Sequence, residues 1–207
     1  MWSTTRARGA SDRLCAAPNP AGTLGVALRQ GARLVDVAER VRAPTLMAAS
    51  ARFLGVLSLD RSPPDFNAAI GHYKECLDLA RQCGDALSVG DGLRAVAMCE
   101  VGLRPTDSLG VCRDALLNLY EMRYWFRIWQ LSDSNALALA SGGHVEAASV
   151  IVGYLQARHQ PYGIECELGF PERTLELIRQ HREVDQWIAR GAAMDRHQIV
   201  DHMVRSV

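Results

Sequence analysis

Residues 120–129 hold the chain's densest group of side chains able to recognise another molecule. Tyr120, Tyr124, Trp125, Phe126 and Trp129 are interleaved there with Arg123 and Arg127. On a helix Trp125 and Trp129 are four residues apart and share a face. Rigid aromatic rings beside guanidinium groups can grip a partner helix or stack on a nucleobase. The same residues can also fill a seam between packed helices, the commoner use of aromatics on helices. Tyr124, Trp125, Arg127 and Trp129 are therefore the candidate partner-binding residues, with core filling as the competing role.

The other reactive side chains are poorly arranged for chemistry. His197 and His202 are five residues apart, on different sides of a helix, and no His-Glu-x-x-His presents two imidazoles and a base to zinc. His144 at a helix start and His159 near a helix end suit surface or capping positions. Cys166 lies between Glu165 and Glu167, carboxylates that oppose thiolate formation, and so reads as a loop cysteine. Ser141-Gly142-Gly143-His144 could open an anion site at a helix start, but two helices must join there and glycine supplies the positive φ of such a turn. The single lysine, Lys74, follows no glycine-rich phosphate loop, and the paired aspartates of a cyclase have no recognisable setting. Catalytic, cofactor and metal residues are all expected to be absent, and the chain is expected not to be an enzyme.

Composition agrees with a binding module. In 207 residues, 23 basic and 23 acidic side chains cancel, which leaves no global field to draw the protein to nucleic acid or an anionic membrane. A hydrophobic fraction of 48% with 22% charged residues supports one folded unit. No stretch reaches the roughly 20 apolar residues of a membrane span, and no secretory signal precedes the helices. Six cysteines without a Cys-x-x-Cys pair suit thiols that mostly act as small hydrophobes. A cytoplasmic location is the expectation, and the near absence of lysine suits a bacterium with GC-rich coding.

The elements that position these residues follow one register. Tyr73, Cys112 and Ile151 are 39 residues apart, as are Cys76, Ala115 and Tyr154, and Leu77, Leu116 and Leu155. Three helical segments that place inward residues at one spacing predict stacked helix pairs, an all-α α-solenoid. Helices are predicted over about 45–59 and 63–83, 86–103 and 107–121, 123–141 and 144–158, as three antiparallel hairpins with Tyr73, Leu77, Leu116, Ile151 and Leu155 buried. Ser62 is the expected cap of the second helix, with Pro63 and Pro64 in its first turn. Ser58, Ala97 and Ala136, and Ala69, Ser108 and Ala147, put small residues where paired helices cross. Residues 1–22 are an expected disordered or weakly ordered leader and 23–207 the repeat domain. A first helix over Leu24–Val41 would stand as the second helix of a pair, leaving part of the Leu24, Leu28, Val35 stripe uncovered. Residues 159–170 break the pattern. Further helices follow near 171–181, 183–190 and 195–205, and Asp195, Gln198, Met194 and Ile199 form the signature of a capped and stapled helix start.

The segment Ala69-Ile-Gly-His-Tyr-Lys-Glu-Cys-Leu-Asp-Leu-Ala80, closing on Gly84-Asp85, resembles the second helix of a tetratricopeptide repeat. Repeats of this longer period are similar to those at the C-terminal end of bacterial signal-transduction ATPases, including LuxR-type regulators and cyclase-linked relatives. Trp187-Ile-Ala-Arg-Gly-Ala-Ala-Met-Asp-Arg-His-Gln-Ile-Val-Asp201 resembles the stretch that closes such regions. The resemblance implies a regulatory scaffold that binds a protein partner or itself, ending in a C-terminal capping helix. A small-ligand sensor with an inducer in an aromatic groove is the alternative.

Overall fold

The computed structural model describes residues 20–158 and 168–206, with side chains from residue 30 onward. Every regular element among the described residues is helical. The helices are α1 (Pro20–Val41), α2 (Pro44–Leu59), α3 (Phe66–Cys83), α4 (Ala86–Leu103), α5 (Leu109–Glu121), α6 (Trp125–Ser141), α7 (Val145–Arg158), α8 (Phe170–Ile178), α9 (Val184–Ala193) and α10 (Arg196–Arg205), with a 3-10 turn at Pro105–Asp107. None of them is long and apolar enough to cross a membrane. Consecutive helices from α1 to α7 pack on each other, α4 also packs on α6, α8 on α6 and α7, α9 on α7, and α10 on α5 and α7.

The 39-residue register is a register of burial. Tyr73, Cys112 and Ile151 are buried, as are Cys76, Ala115 and Tyr154. Leu77 and Leu116 are buried too, but Leu155 is only half-buried, one turn before α7 ends at Arg158. At the crossings Ser58, Ala97 and Ala136 are all buried, and so are Ala69 and Ser108, while Ala147 is half-buried. One continuous core runs from Leu59 to Met203, with a satellite of Ala48, Ala51 and Cys76 near the first helices.

Helix ends repeat at the same interval. After α3, Gly84 takes φ 67°, donating to the Arg81 carbonyl, and Asp85 donates to the Ala80 carbonyl at 3.0 Å. After α5, 39 positions later, Arg123 takes φ 54°, donating to the Tyr120 carbonyl, and Tyr124 donates to that of Leu119 at 2.9 Å. Both pairs satisfy last-turn carbonyls through a left-handed residue. Arg123 therefore belongs to the turn, and α6 starts at Trp125 rather than at 123. The start of α3 also differs from expectation. Asp65, not Ser62, is its cap, accepting from the Ala68 amide at 3.0 Å, and both prolines precede the helix. Pro64 disfavours helical backbone at Pro63, so the helix cannot begin that early.

The expected leader lies outside the described residues except for 20–22, which belong to α1, and the side chains of Leu24 and Leu28 also lie outside them. Val35 is half-buried, whereas Val37 and Val41 on α1 and Val56 on α2 are exposed. Most of the 159–170 segment lies outside the described residues as well.

At the crossing of α7 and α9 the backbones themselves meet. A Cβ at Gly153 would land on the Ile188 carbonyl, and one at Gly191 on the Val150 carbonyl, so the two backbones lie directly against each other. Gly71, on the open side of α3, has nothing near its missing Cβ. Gly153→Ala or Gly191→Ala should cost about 3 kcal/mol or more in urea unfolding because two helices must separate. Gly71→Ala should instead stabilise by up to about 1 kcal/mol through helix propensity. Equal effects at the three sites would contradict the crossing.

Candidate functional site

Each residue of a helix turns about 100° from the one before, so the aromatic run at the start of α6 cannot face one way. Trp125 and Trp129 point toward the seam between α5 and α7. Tyr120 of α5 meets Trp125 edge-on at 5.7 Å between centroids. Trp125 stacks on Trp129 at 5.7 Å, and Trp129 lies 5.2 Å from Tyr154 of α7. These four rings form a ladder from α5 across α6 to α7.

Helix α10 closes over that ladder. Its N-terminal Arg196 places its guanidinium 4.8 Å from the centre of the Trp125 ring. His197 stands edge-on to Trp125 at 5.2 Å, with its Nδ1 3.1 Å from the Tyr120 hydroxyl. Ile199, Val200 and Met203 are buried beneath the helix, and His202 Nε2 lies 3.3 Å from the Ala147 carbonyl on α7. The two histidines are on different sides of α10, as their spacing requires, yet both meet the body of the molecule. Trp125 and Trp129 are thus half-buried, their faces taken up by each other, Tyr154 and Arg196.

Tyr124 and Arg127 lie apart from the ladder. Arg127 grips Asp91 of α4 through two contacts, Nε to Oδ1 at 2.6 Å and Nη2 to Oδ2 at 3.0 Å, and donates to Gln130 Oε1 at 2.6 Å. Its guanidinium also lies over the Phe126 ring at 5.2 Å and the Tyr124 ring at 5.8 Å. Burial opposes the charge of Arg127, but hydrogen bonding to Asp91 and the attraction of its carboxylate hold the guanidinium above its ordinary range. Arg127 is committed to joining α4 to α6.

Two of the exposed apolar side chains precede this pair on the same two helices. Phe126 is 44% exposed and Leu87 is 61% exposed, and they are 39 positions apart, each second in its helix. Leu87 precedes Asp91 by one turn of α4, so both occupy one side of that helix. The run was visible in the sequence, but Leu87 was missed. Its signal was its register with Phe126.

Among the described residues, burial disfavours ionisation of two thiols, and the glycine turn is closed on itself. Burial pushes the Cys112 thiol up to about 12 and raises that of Cys76. Cys99 is buried and Cys83 exposed, and Cys166, Glu165, Glu167 and His159 lie outside the described residues. At the Ser141–His144 turn, Gly143 has φ 85° and donates to the Ala140 carbonyl, while His144 donates to that of Leu139. Those amides close α6 and are not free to hold an anion. Fully buried Asn135 of α6 has neither amide atom paired among the described residues, and this costs about 1–3 kcal/mol per unsatisfied group.

No three His, Cys, Asp or Glu side chains among the described residues are grouped to hold a metal ion. A shallow depression of about 580 Å³ is lined by Arg61–Asn67 and Leu103, away from the aromatic run. In comparison with known proteins, the chain matches no family model, no curated protein and no solved structure.

The seat of α10 should depend on pH. Burial holds the His202 imidazole below its ordinary 6.5, against the opposing hydrogen bond to Ala147. The unfolded chain therefore takes up this proton more readily than the folded one, and stability falls as pH drops below 6.5. His202→Gln should show a shallower loss of stability between neutral and mildly acidic pH than the unaltered chain. Identical pH profiles in urea unfolding would contradict this placement of His202.

Proposed function

We propose that this chain is a non-enzymatic protein-interaction scaffold, built as an α-solenoid of tetratricopeptide-like antiparallel helix pairs. It resembles the C-terminal repeat region of LuxR-type and cyclase-linked regulatory ATPases. The observation that carries this reading is the recurrence, at one 39-residue interval, of buried positions, helix ends and the exposed apolar pair Leu87 and Phe126. A repeated scaffold presents equivalent side chains from successive helices as a row, and such a row is suited to lie along an extended or helical partner. The Arg127–Asp91 ion pair joins the two helices that carry Leu87 and Phe126. A small-ligand sensor has less support, because the rings that would enclose an inducer are stacked on one another.

Proteins recovered with the tagged full chain from its native cells should be lost when Leu87→Glu and Phe126→Glu are combined. The unfolding free energy should move by no more than about 2 kcal/mol, the size of a lost cation–π contact between Arg127 and the Phe126 ring. An unchanged set of bound proteins would remove this surface from the proposal. Purified chain should also neither hydrolyse ATP nor form cyclic nucleotide with magnesium, and turnover that tracks the protein through further purification would reject the non-enzyme assignment.

A further inference from the structure

Three positions on α1 and α2 break the register of burial. Val37 is the counterpart of Cys76 on α3 and Ala115 on α5, Val41 that of Ala80 and Leu119 on the same two helices, and Val56 that of Ala95 on α4 and Ser134 on α6. All six counterparts are buried, yet Val37, Val41 and Val56 are 40%, 60% and 42% exposed.

The later repeats show what covers such positions. Cys76 is buried against Ala48 and Ala51 of α2, the helix before its own. In the next repeat α4 packs on both α5 and α6, the helices that carry Ala115, Leu119 and Ser134. The covering element is thus a helix that lies along the two helices following it in the register. For α1 and α2 that place belongs to a helix one register before α2. The stretch of this chain at that interval, residues 5–20, holds Arg6, Arg8, Asp12 and Arg13, with Leu14 its one large apolar side chain, and so has no stripe to bury there.

Charge narrows the occupant further. Arg33 stands one turn before Val37 and Arg52 one turn before Val56, and both are exposed, while Asp36 is engaged by Arg40 at 3.6 Å. The same face of a second copy would bring guanidinium against guanidinium. Stacking copies head to tail fails as well, because α7 at the far end is covered by α8, α9 and α10.

We infer that the Val37–Val41–Val56 face takes an amphipathic helix of another protein, its apolar stripe bordered by Asp or Glu side chains, in the place of a helix one register before α2. This site is not the Leu87–Phe126 row, and the inference stands whether or not that row holds a partner.

Two labelled helical peptides of the length of α4, titrated into the full chain at low salt, test it. Both carry Leu and Ala along one i, i+3, i+4, i+7 stripe, bordered by glutamate in one and by lysine in the other. The glutamate peptide should bind at least about tenfold more tightly, and combining Arg33→Glu with Arg52→Glu should reverse the preference. Val37→Asp with Val56→Asp should weaken the glutamate peptide at least about tenfold while the melting temperature holds, and Leu87→Glu with Phe126→Glu should leave its binding unchanged. Absence of binding, or binding indifferent to the arginine reversal, overturns the inference, as does binding lost with Leu87 and Phe126. Should the valine variant unfold, the arginine reversal at exposed positions decides alone. A dimer of the unaltered chain that Val37→Asp with Val56→Asp dissociates would give the face to a second copy, and peptide binding that appears only after removal of residues 1–19 would give it to the chain itself. Either result overturns the inference.

Discussion

At the α7–α9 crossing two helices meet backbone to backbone, and the arrangement of the aromatic site depends on that contact. Helices kept apart by side chains run 8–10 Å axis to axis. With glycine at both Gly153 and Gly191, no side chain separates the Val150 and Ile188 turns. Helix α9 is thereby pressed onto α7, with Arg190 reaching Glu146 at 2.7 Å and Arg158 donating to the Ala192 carbonyl at 2.7 Å. Its end then lies where a two-residue joint can turn α10 back across α7 toward α5. A methyl group at the crossing would shift α9 and carry Arg196 and His197 off Trp125. The aromatic site is thus set by a contact made through the absence of side chains.

A helix that starts with Trp-Phe-Arg-Ile-Trp must distribute those residues around its axis, and here each direction has a different use. Trp125 and Trp129 build the floor for α10. Arg127 turns to α4 and is consumed by Asp91, while Phe126 is left half in solvent. An arginine with both carboxylate oxygens of a partner in reach exchanges hydration for a directed pair that fixes the spacing of two helices. The Phe126 ring lies under the Arg127 guanidinium at 5.2 Å and so shares in that junction, while Leu87 stands one turn before Asp91 on α4.

Much of the helical order was legible in the sequence because it is local or periodic. The 39-residue register found the buried faces of α3, α5 and α7, and Asp195 with Gln198 announced the start of α10 through its own hydrogen bonds. What was hidden depends on neighbours distant in the chain. Gly153 and Gly191 look like poor helix residues until the two helices are brought together. His197 and His202 looked unrelated at five residues apart, since nothing in that spacing shows that α10 sits between two other helices and touches both. The displaced starts of α3 and α6 have local causes that composition obscured. Two prolines resembled a first turn, and an arginine held the left-handed position that glycine holds one register earlier.

The chemistry of α10 sets it apart from the helices it closes. Its buried contribution is Ile199, Val200 and Met203, and the remainder of its grip comes from a guanidinium over a ring, an imidazole edge against another and an imidazole nitrogen near a carbonyl. Cation–π contacts of this kind contribute about 0.5–2 kcal/mol, depending on how far they are removed from water. By contrast, α9 meets α7 backbone to backbone at Gly153 and Gly191. The Met194–Asp195 joint is the boundary between that crossing and a helix seated by the fully buried Ile199 and Met203 together with polar contacts at its start. Removing α10 would take the Arg196 and His197 contacts from Trp125 and strip Ile199, Val200 and Met203 from the core at once, so the seat of α10 is part of the core and not an accessory to it.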